Sequence, residues 1–307
     1  MKVLVVRYSA IGDCVMTAWA VTSLRRRFPE AEIVWAVQER AAPVIDSHRL
    51  VNQVVLADRD AWRKRRGSPQ VWRDQLRVFL GLRRSRFDLG FDFQGHSKTA
   101  LCLRIAQPTK RWASRATDAL AARLNPTIEL GAGERHEVDV ATDLVRHAVP
   151  DLPDPTEVWM PAVAPNPQFD VTIQTGAGHP AKIVPTATWR EVADQLVSSG
   201  LSVALIGAPN DPSFEAFGVM NLVGKYPLVE TLGAVVGSGV HVAGDTGTGH
   251  IAAAYGIPTV SVFGPTEPSV YAPRGPRTQV LRRGITPEGI SAPEIVAAIM
   301  QMHEARS

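Results

Sequence analysis

Three short segments hold residue types that could do chemistry. The first is Tyr8-Ser9-Ala10-Ile11-Gly12-Asp13. Gly12 permits a tight backbone path, and Asp13 stands where a helical pattern begins. A carboxylate there can act as an N-cap, contributing about 1 kcal/mol, or as a general base at the mouth of a ligand crevice. The second is Gln174-Thr175-Gly176-Ala177-Gly178-His179-Pro180-Ala181-Lys182. Its glycines let backbone N–H groups approach an anion, and Lys182 adds a point charge. A plain strand-to-helix turn is the alternative. It is not a Walker A loop, because Ile183 follows Lys182 and the glycine spacing differs. The third is Gly244-Asp245-Thr246-Gly247-Thr248-Gly249-His250. Three glycines and two hydroxyls at a helix start make a ready anion site, with free N–H groups at the positive end of the helix dipole. His250 by itself reads as a structural helix residue. Gly264-Pro265-Thr266-Glu267-Pro268 downstream fits a turn.

Other chemistries lack their signatures. No G-x-G-x-x-G follows the first strand, which argues against a standard nicotinamide dinucleotide site. No His, Cys, Asp or Glu cluster has metal-ligand spacing, and no G-x-S-x-G nucleophile elbow occurs.

The three segments need scaffolding, and the hydrophobic pattern supplies it. Strands are expected at 3–7, 31–37, 51–56 and 87–93, and helices at 14–28, 70–82, 98–105 and 135–148. Six prolines between 150 and 167 mark a stiff extended linker. The pattern then restarts, with strands at 169–173, 201–206, 240–243 and 259–262. Helices are expected at 186–198, 228–236, 249–255 and 292–305. Strands alternating with helices imply βαβ units and parallel sheets. The expected architecture is α/β: two Rossmann-like domains facing across a cleft, residues 1–150 and 168–307, joined by 151–167. Ligands of such sheets bind beyond the carboxyl ends of the strands, where all three segments fall.

Composition narrows the class. The chain has 307 residues, 45% hydrophobic and 21% charged, ordinary for a two-domain globular protein. No apolar run approaches the ~20 residues of a membrane span, and the first residues read as a strand rather than a signal peptide. Cys14 and Cys102 form neither a zinc set nor a disulfide framework, which fits a reducing cytoplasm. Residues 1–150 carry 25 Lys and Arg against 16 Asp and Glu, net +9; residues 151–307 carry 8 against 14, net −6. Within 59–86 there are ten basic residues and two acids. A basic half suggests an anionic partner, with nucleic acid, a phosphorylated sugar and an anionic membrane surface as candidates. A solvated Arg-rich face is the bland alternative, since 27 of the 33 basic residues are Arg.

Taken together, Ser9-Ala10-Ile11-Gly12-Asp13, the 178–185 loop with Lys182, and Asp245-Thr246-Gly247-x-x-His250 with Gly264-Pro265-Thr266 resemble the bacterial heptosyltransferases of glycosyltransferase family 9. The resemblance runs through nearly the whole chain. Gly95-His96-Ser97-Lys98-Thr99-Ala100 and Trp62-Arg63-Lys64 resemble the branch that adds the first heptose of the lipopolysaccharide inner core. The resemblance implies a GT-B fold with the acceptor on the first domain and the nucleotide sugar on the second. It implies metal-independent, inverting transfer from ADP-heptose to a 3-deoxy-octulosonic-acid (Kdo)–lipid A acceptor. It implies no cofactor beyond the nucleotide-sugar co-substrate, no nucleic-acid partner, and a cytoplasmic enzyme peripheral to the inner membrane.

By the same resemblance Asp13 is the base and Lys182 meets the charge of the leaving group. The donor side comprises Thr175, Gly176, Gly178, Lys182, Asp211, Asp245, Thr246, Gly247, Thr248 and His250. The acceptor side comprises Ser9, Gly12, Arg63, Lys64, Gln94 and Lys98, and the 59–86 stretch is placed to touch anionic lipid. The chain departs from the family at three donor-side points. Lys182-Ile183-Val184-Pro185 replaces a Lys-Arg-Trp-Pro type sequence, Asp211 stands where Glu is usual near the donor ribose, and His179 is unusual in its loop. These departures motivate a second reading: a family 9-like transferase with another nucleotide sugar and another glycan, protein or small-molecule acceptor.

Overall fold

Val3, Leu4, Val5 and Val6 are all fully buried, as a central strand covered on both faces must be. They form β1 (Lys2–Val6). The computed structural model describes residues 1–57, 68–131 and 133–305. These fall into two compact units, Met1–Pro161 and Ala162–Ser307.

In the first unit β1 is followed by α1 (Ile11–Arg27), β2 (Glu32–Val37), β3 (Gln53–Leu56) and α2 (Pro69–Arg84). Then come β4 (Leu89–Asp92), α3 (Ser97–Ala106), β5 (Lys110–Ala113), α4 (Ala119–Leu124) and α5 (Glu137–Ala148). The sheet order is β3-β2-β1-β4-β5 and every pair is parallel. Side chains alternate across a strand. Leu4 and Val6 therefore join Val34, Ala36, Phe79, Leu82 and Leu103 in one core layer. Arg7 follows the opposite parity and turns toward α1 instead.

The second unit runs β6 (Phe169–Gln174), α6 (Thr186–Ser198), β7 (Val203–Ile206), β8 (Val219–Asn221), α7 (Leu228–Val236) and β9 (Ser238–Gly244). It continues with α8 (Gly247–Ala254), β10 (Thr259–Phe263), α9 (Pro268–Tyr271), β11 (Thr278–Arg282) and α10 (Ala292–Glu304). The parallel order is β11-β10-β9-β6-β7-β8, the strand order of a Rossmann dinucleotide fold. Val171, Ile173, Val203, Leu205, Val240, Val242, Val260 and Val262 share one face with Trp189, Leu196, Ile295 and Ile299. The other face is different: Thr172, His241, Thr259 and Ser261 are buried there.

Three strands lie outside the sequence expectation: β5, β8 and β11. Each is a sheet edge, and each is mostly half-exposed, so its hydrophobic signal is weak. The helix expected from residue 14 begins at Ile11, which brings Asp13 inside its first turn. The Pro-rich stretch straddles the division between the units. Its earlier part is tied to the first one: Arg27 pairs with Asp151 (2.5 Å), and Trp159 N–H donates to Thr22 Oγ1 (3.0 Å). Arg49 donates to the Met160 carbonyl (2.8 Å). Among the described residues no helix is long and apolar enough to cross a membrane.

Trp189 is 1% exposed at the centre of the second core. Trp189→Ala is expected to cost about 3–5 kcal/mol, read as a lower urea midpoint. A cost below 1 kcal/mol would show that α6 does not anchor this core.

Candidate functional site

Strand order reverses between β1 and β4 in the first sheet and between β6 and β9 in the second. Such switch points open a crevice beyond the carboxyl ends of the strands. Of the described residues assigned to the site from sequence, all but Asp211 lie in or just after the loops that follow β1, β4, β6 and β9.

In the first unit the loop after β1 leads into α1. Ala10 is the N-cap and Asp13 is the third helical residue. Asp13 is thus not the cap itself: its Oδ2 reaches back to accept the Ala10 N–H (2.8 Å). The same oxygen pairs with Arg7 Nη2 at 2.6 Å. Arg7 Nη1 also donates to the Phe93 carbonyl after β4. Burial works against the charge on Arg7, but Asp13, helped by its hydrogen bond, holds the guanidinium pKa above its ordinary value. A permanently charged arginine therefore faces the carboxylate. Arg7 and Asp13, with Thr17, Ser114 and Glu137, line a small cavity.

Gln94 ties the two loops of this switch point. Its Oε1 accepts the Tyr8 N–H (2.9 Å), and its Nε2 lies 3.5 Å from Ser9 Oγ. Asp92, fully buried at the end of β4, accepts the N–H groups of Gln94 and Gly95, both at 2.9 Å. Burial nevertheless pushes its pKa up to about 6. Gly12 is buried in the first turn of α1, and Lys98 stands in the first turn of α3. Arg63 and Lys64 lie outside the described residues.

In the second unit one carboxylate gathers three loops. Asp245, after β9, accepts Lys182 Nζ (2.6 Å) from the loop after β6 and Thr266 Oγ1 (2.5 Å) from the loop after β10. Gly244 permits this approach, because a Cβ there would stand 2.9 Å from the Lys182 carbonyl oxygen. His179 has a structural part. Its Nδ1 accepts the Ala181 N–H (3.2 Å), capping the short 3-10 turn Pro180–Lys182 that presents the lysine. Thr246 is the N-cap of α8, with Gly247 and Thr248 next. The first N–H groups of a helix have no partner within it. His250 is buried on the same helix.

Asp211 sits apart from Asp245. Its Oδ2 accepts Gln174 Nε2 (2.9 Å) and the Ala208 N–H (2.7 Å). The carboxylate lies against Gly176, where a Cβ would fall 1.9 Å from Asp211 Cγ. Thr175 is buried beside it, and Gly178 is under no such steric demand.

Sequence reasoning passed over three buried residues, Arg7, Asp92 and His241. His241 lies beneath α8, with Nδ1 2.9 Å from Thr172 Oγ1 and Nε2 3.1 Å from Thr248 Oγ1. Burial pushes its pKa down to about 3. The ring is therefore neutral, with one nitrogen donating and the other accepting. The available signal was a histidine inside a strand otherwise built of small and apolar residues. Arg7 and Asp92 left a similar trace, each a charge closing an apolar run. Among the described residues no group of three or more His, Cys, Asp or Glu is arranged to hold a metal.

Two Rossmann-type parallel sheets with helices, one in each unit, define a GT-B type fold. The profile of glycosyltransferase family 9 (heptosyltransferase) matches residues 75–291. Lipopolysaccharide heptosyltransferase 1 of Pseudomonas aeruginosa is 30% identical over 297 residues, 91% of this chain and 83% of that one. The Escherichia coli K12 protein of the same name is 27% identical over 302 residues, 92% and 93% of the two chains. The solved E. coli heptosyltransferase WaaC with ADP superposes with a TM-score of 0.83 at 24% identity, covering 98% of this chain and 100% of that one. The chain belongs to glycosyltransferase family 9.

Asp92 and His241, both fully buried, give opposite pH signatures. Below about 6.5 the unfolded chain protonates His241 while the folded one does not, so its contribution is lost as pH falls. The folded chain keeps the Asp92 proton up to about pH 6, whereas the unfolded chain loses it near 3.9. That contribution is full at low pH and declines as pH rises through this window. Thermal melts between roughly pH 4 and 7 should show the stability advantage of wild type over His241→Gln shrinking on acidification. The balance between wild type and Asp92→Asn should shift toward the variant as pH rises. Flat differences would remove both assignments.

Proposed function

We propose that the protein transfers heptose, with inversion, from ADP-heptose to a Kdo–lipid A acceptor of the lipopolysaccharide inner core. The observation that carries this reading is the joining of Lys182, Asp245 and Thr266 beside the N-terminus of α8. One cation and the first backbone donors of a helix are the groups that binding a nucleotide diphosphate calls for. The names of the relatives supply the sugar and the pathway, and the ADP in the WaaC structure supports the nucleotide.

In this reading the acceptor hydroxyl attacks the anomeric carbon while the Asp13 carboxylate takes its proton. The new glycosidic bond forms as the bond from the anomeric carbon to the phosphate oxygen breaks, and its electron pair leaves with the diphosphate. A single displacement inverts the configuration. Lys182 and the N–H groups of Gly247 and Thr248 stabilise the growing charge, as fixed donors do in a preorganised site. They take the part that a divalent ion could otherwise play, so the reaction should proceed in EDTA. Arg7, 2.6 Å from Asp13 Oδ2, holds the carboxylate in place. Ser9, Gly12, Gln94 and Lys98 form the acceptor side of the first unit, whose net positive charge suits carboxylates and phosphates. A glycolipid acceptor places the enzyme on the cytoplasmic side of the inner membrane, attached peripherally.

One observation favours a second nucleotide. Asp211 is a short carboxylate already engaged by Gln174 and Ala208, so the ribose contact of the family could differ here. Calorimetric titration with ADP, UDP and GDP in EDTA separates the cases. Binding of ADP alone supports the proposal, while a preference for UDP or GDP would overturn the ADP-heptose donor and retain the transferase.

Asp13→Asn is expected to lower turnover by about 10²–10⁴-fold with ADP affinity unchanged. Near-wild-type turnover in that variant would sink the base assignment.

A further inference from the structure

Helix α2 has three distinct faces. Val71, Gln75, Phe79 and Leu82 are buried in the first core. Trp72, Leu76 and Leu80, each one turn beyond the last, are 60%, 46% and 41% exposed. Arg73, Arg77 and Arg84 line the far edge of this apolar stripe, and Arg83 stands at its end; all four are exposed. Asp74 is the single acid of the helix, and it pairs with Arg77 (3.2 Å) on the side away from the stripe. Isolated apolar residues on a surface are ordinary. A tryptophan and two leucines in line, bordered by arginines on an already anchored helix, are not.

We propose that this face of α2 docks the protein on an anionic lipid bilayer. An interfacial helix lies in the plane of the membrane, with Trp and Leu at the headgroup boundary and Arg against lipid phosphates. Here the opposite side of the helix is already packed, so the helix is pre-formed and only side chains need settle. The stripe sits on the unit that carries Asp13 and the basic excess. The assignment rests on the reading that the acceptor is a glycolipid, since such an acceptor must be met at a membrane surface.

Charge selects among the possible occupants. A two-fold contact sets a patch against its own copy, which would bring these arginines against one another, so a second copy of this chain fits poorly. Nucleic acid would satisfy the arginines and leave Trp72, Leu76 and Leu80 in water. A bilayer containing acidic phospholipid matches both halves of the face.

The test is co-flotation of the full chain with phosphatidylcholine vesicles, with and without phosphatidylglycerol. Binding is expected only with phosphatidylglycerol, falling steeply as salt is raised. The double variant Leu76→Gln, Leu80→Gln is expected to bind at least tenfold more weakly. These side chains are exposed, so its melting temperature and ADP affinity should match wild type. Arg73→Gln with Arg77→Gln should weaken binding and flatten its salt dependence. Undiminished vesicle binding by the leucine variant would overturn the proposal. So would a concentration-dependent dimer in sedimentation that the same substitutions abolish. Transfer to a water-soluble, delipidated acceptor is measured in parallel. Lost docking with intact transfer confirms a separate membrane surface. Absent transfer by wild type would refute the proposed function and leave the vesicle result standing on its own.

Discussion

Oδ2 of Asp245 holds a lysine and a threonine from two other loops, and the arrangement of loops at the β6/β9 switch point depends on it. The side chain of Asp245 is only 7% exposed and that of Lys182 27%. A charge so placed must be paired, because removing one partner of a buried ion pair costs about 3–5 kcal/mol. The pair therefore does more than decorate the site. It fixes the loops after β6, β9 and β10 relative to one another, and it sets the ammonium group beside the free N–H groups of α8. An anion arriving there meets donors already in position, which is the condition under which electrostatic stabilisation is strongest.

The first unit repeats the device with the signs of the roles exchanged. There the cation is the more buried partner, and the carboxylate is the more exposed one. Arg7 is anchored by the Phe93 carbonyl as well as by Asp13, so it links the loops on both sides of the β1/β4 switch point. Asp92 and Gln94 complete the brace through backbone N–H groups. In the second unit the corresponding support comes from beneath: neutral His241 joins Thr172 on β6 to Thr248 on α8. Each crevice thus has a charged pair at its rim and a polar contact behind it. The hydrophobic layers on the far face of each sheet hold the strands that carry them.

What the sequence made legible follows from this division. Central strands such as β1 and β7 are continuous apolar runs, and helices such as α6 repeat at the helical period, so both could be read directly. Glycine-rich segments between a strand and a helix were legible because phosphate binding needs close backbone approach. The edge strands β5, β8 and β11 were not, since one side of each faces solvent and their composition mixes. Arg7, Asp92 and His241 were hidden for another reason. Arg7 and His241 find partners 6 to 86 residues away, and no local spacing encodes a pairing made by the sheet. Asp92 bonds the N–H groups two and three residues on, inside a turn that forms only where β4 ends.

The three donor-side departures from the family pattern now separate physically. Val184 is 1% exposed within the second core, so Ile183-Val184-Pro185 answers to packing beneath the loop. His179 accepts the Ala181 N–H and shapes the turn that carries Lys182, which is a capping role open to other residues. Neither substitution needs a changed ligand to explain it. Asp211 differs, because its carboxylate has both backbone and side-chain partners and presses on Gly176. Its charge is held at the loop after β7, between Gln174 and the Ala208 N–H. Of the three departures, Asp211 is therefore the one that packing and turn capping do not account for, and the second nucleotide reading rests on it alone.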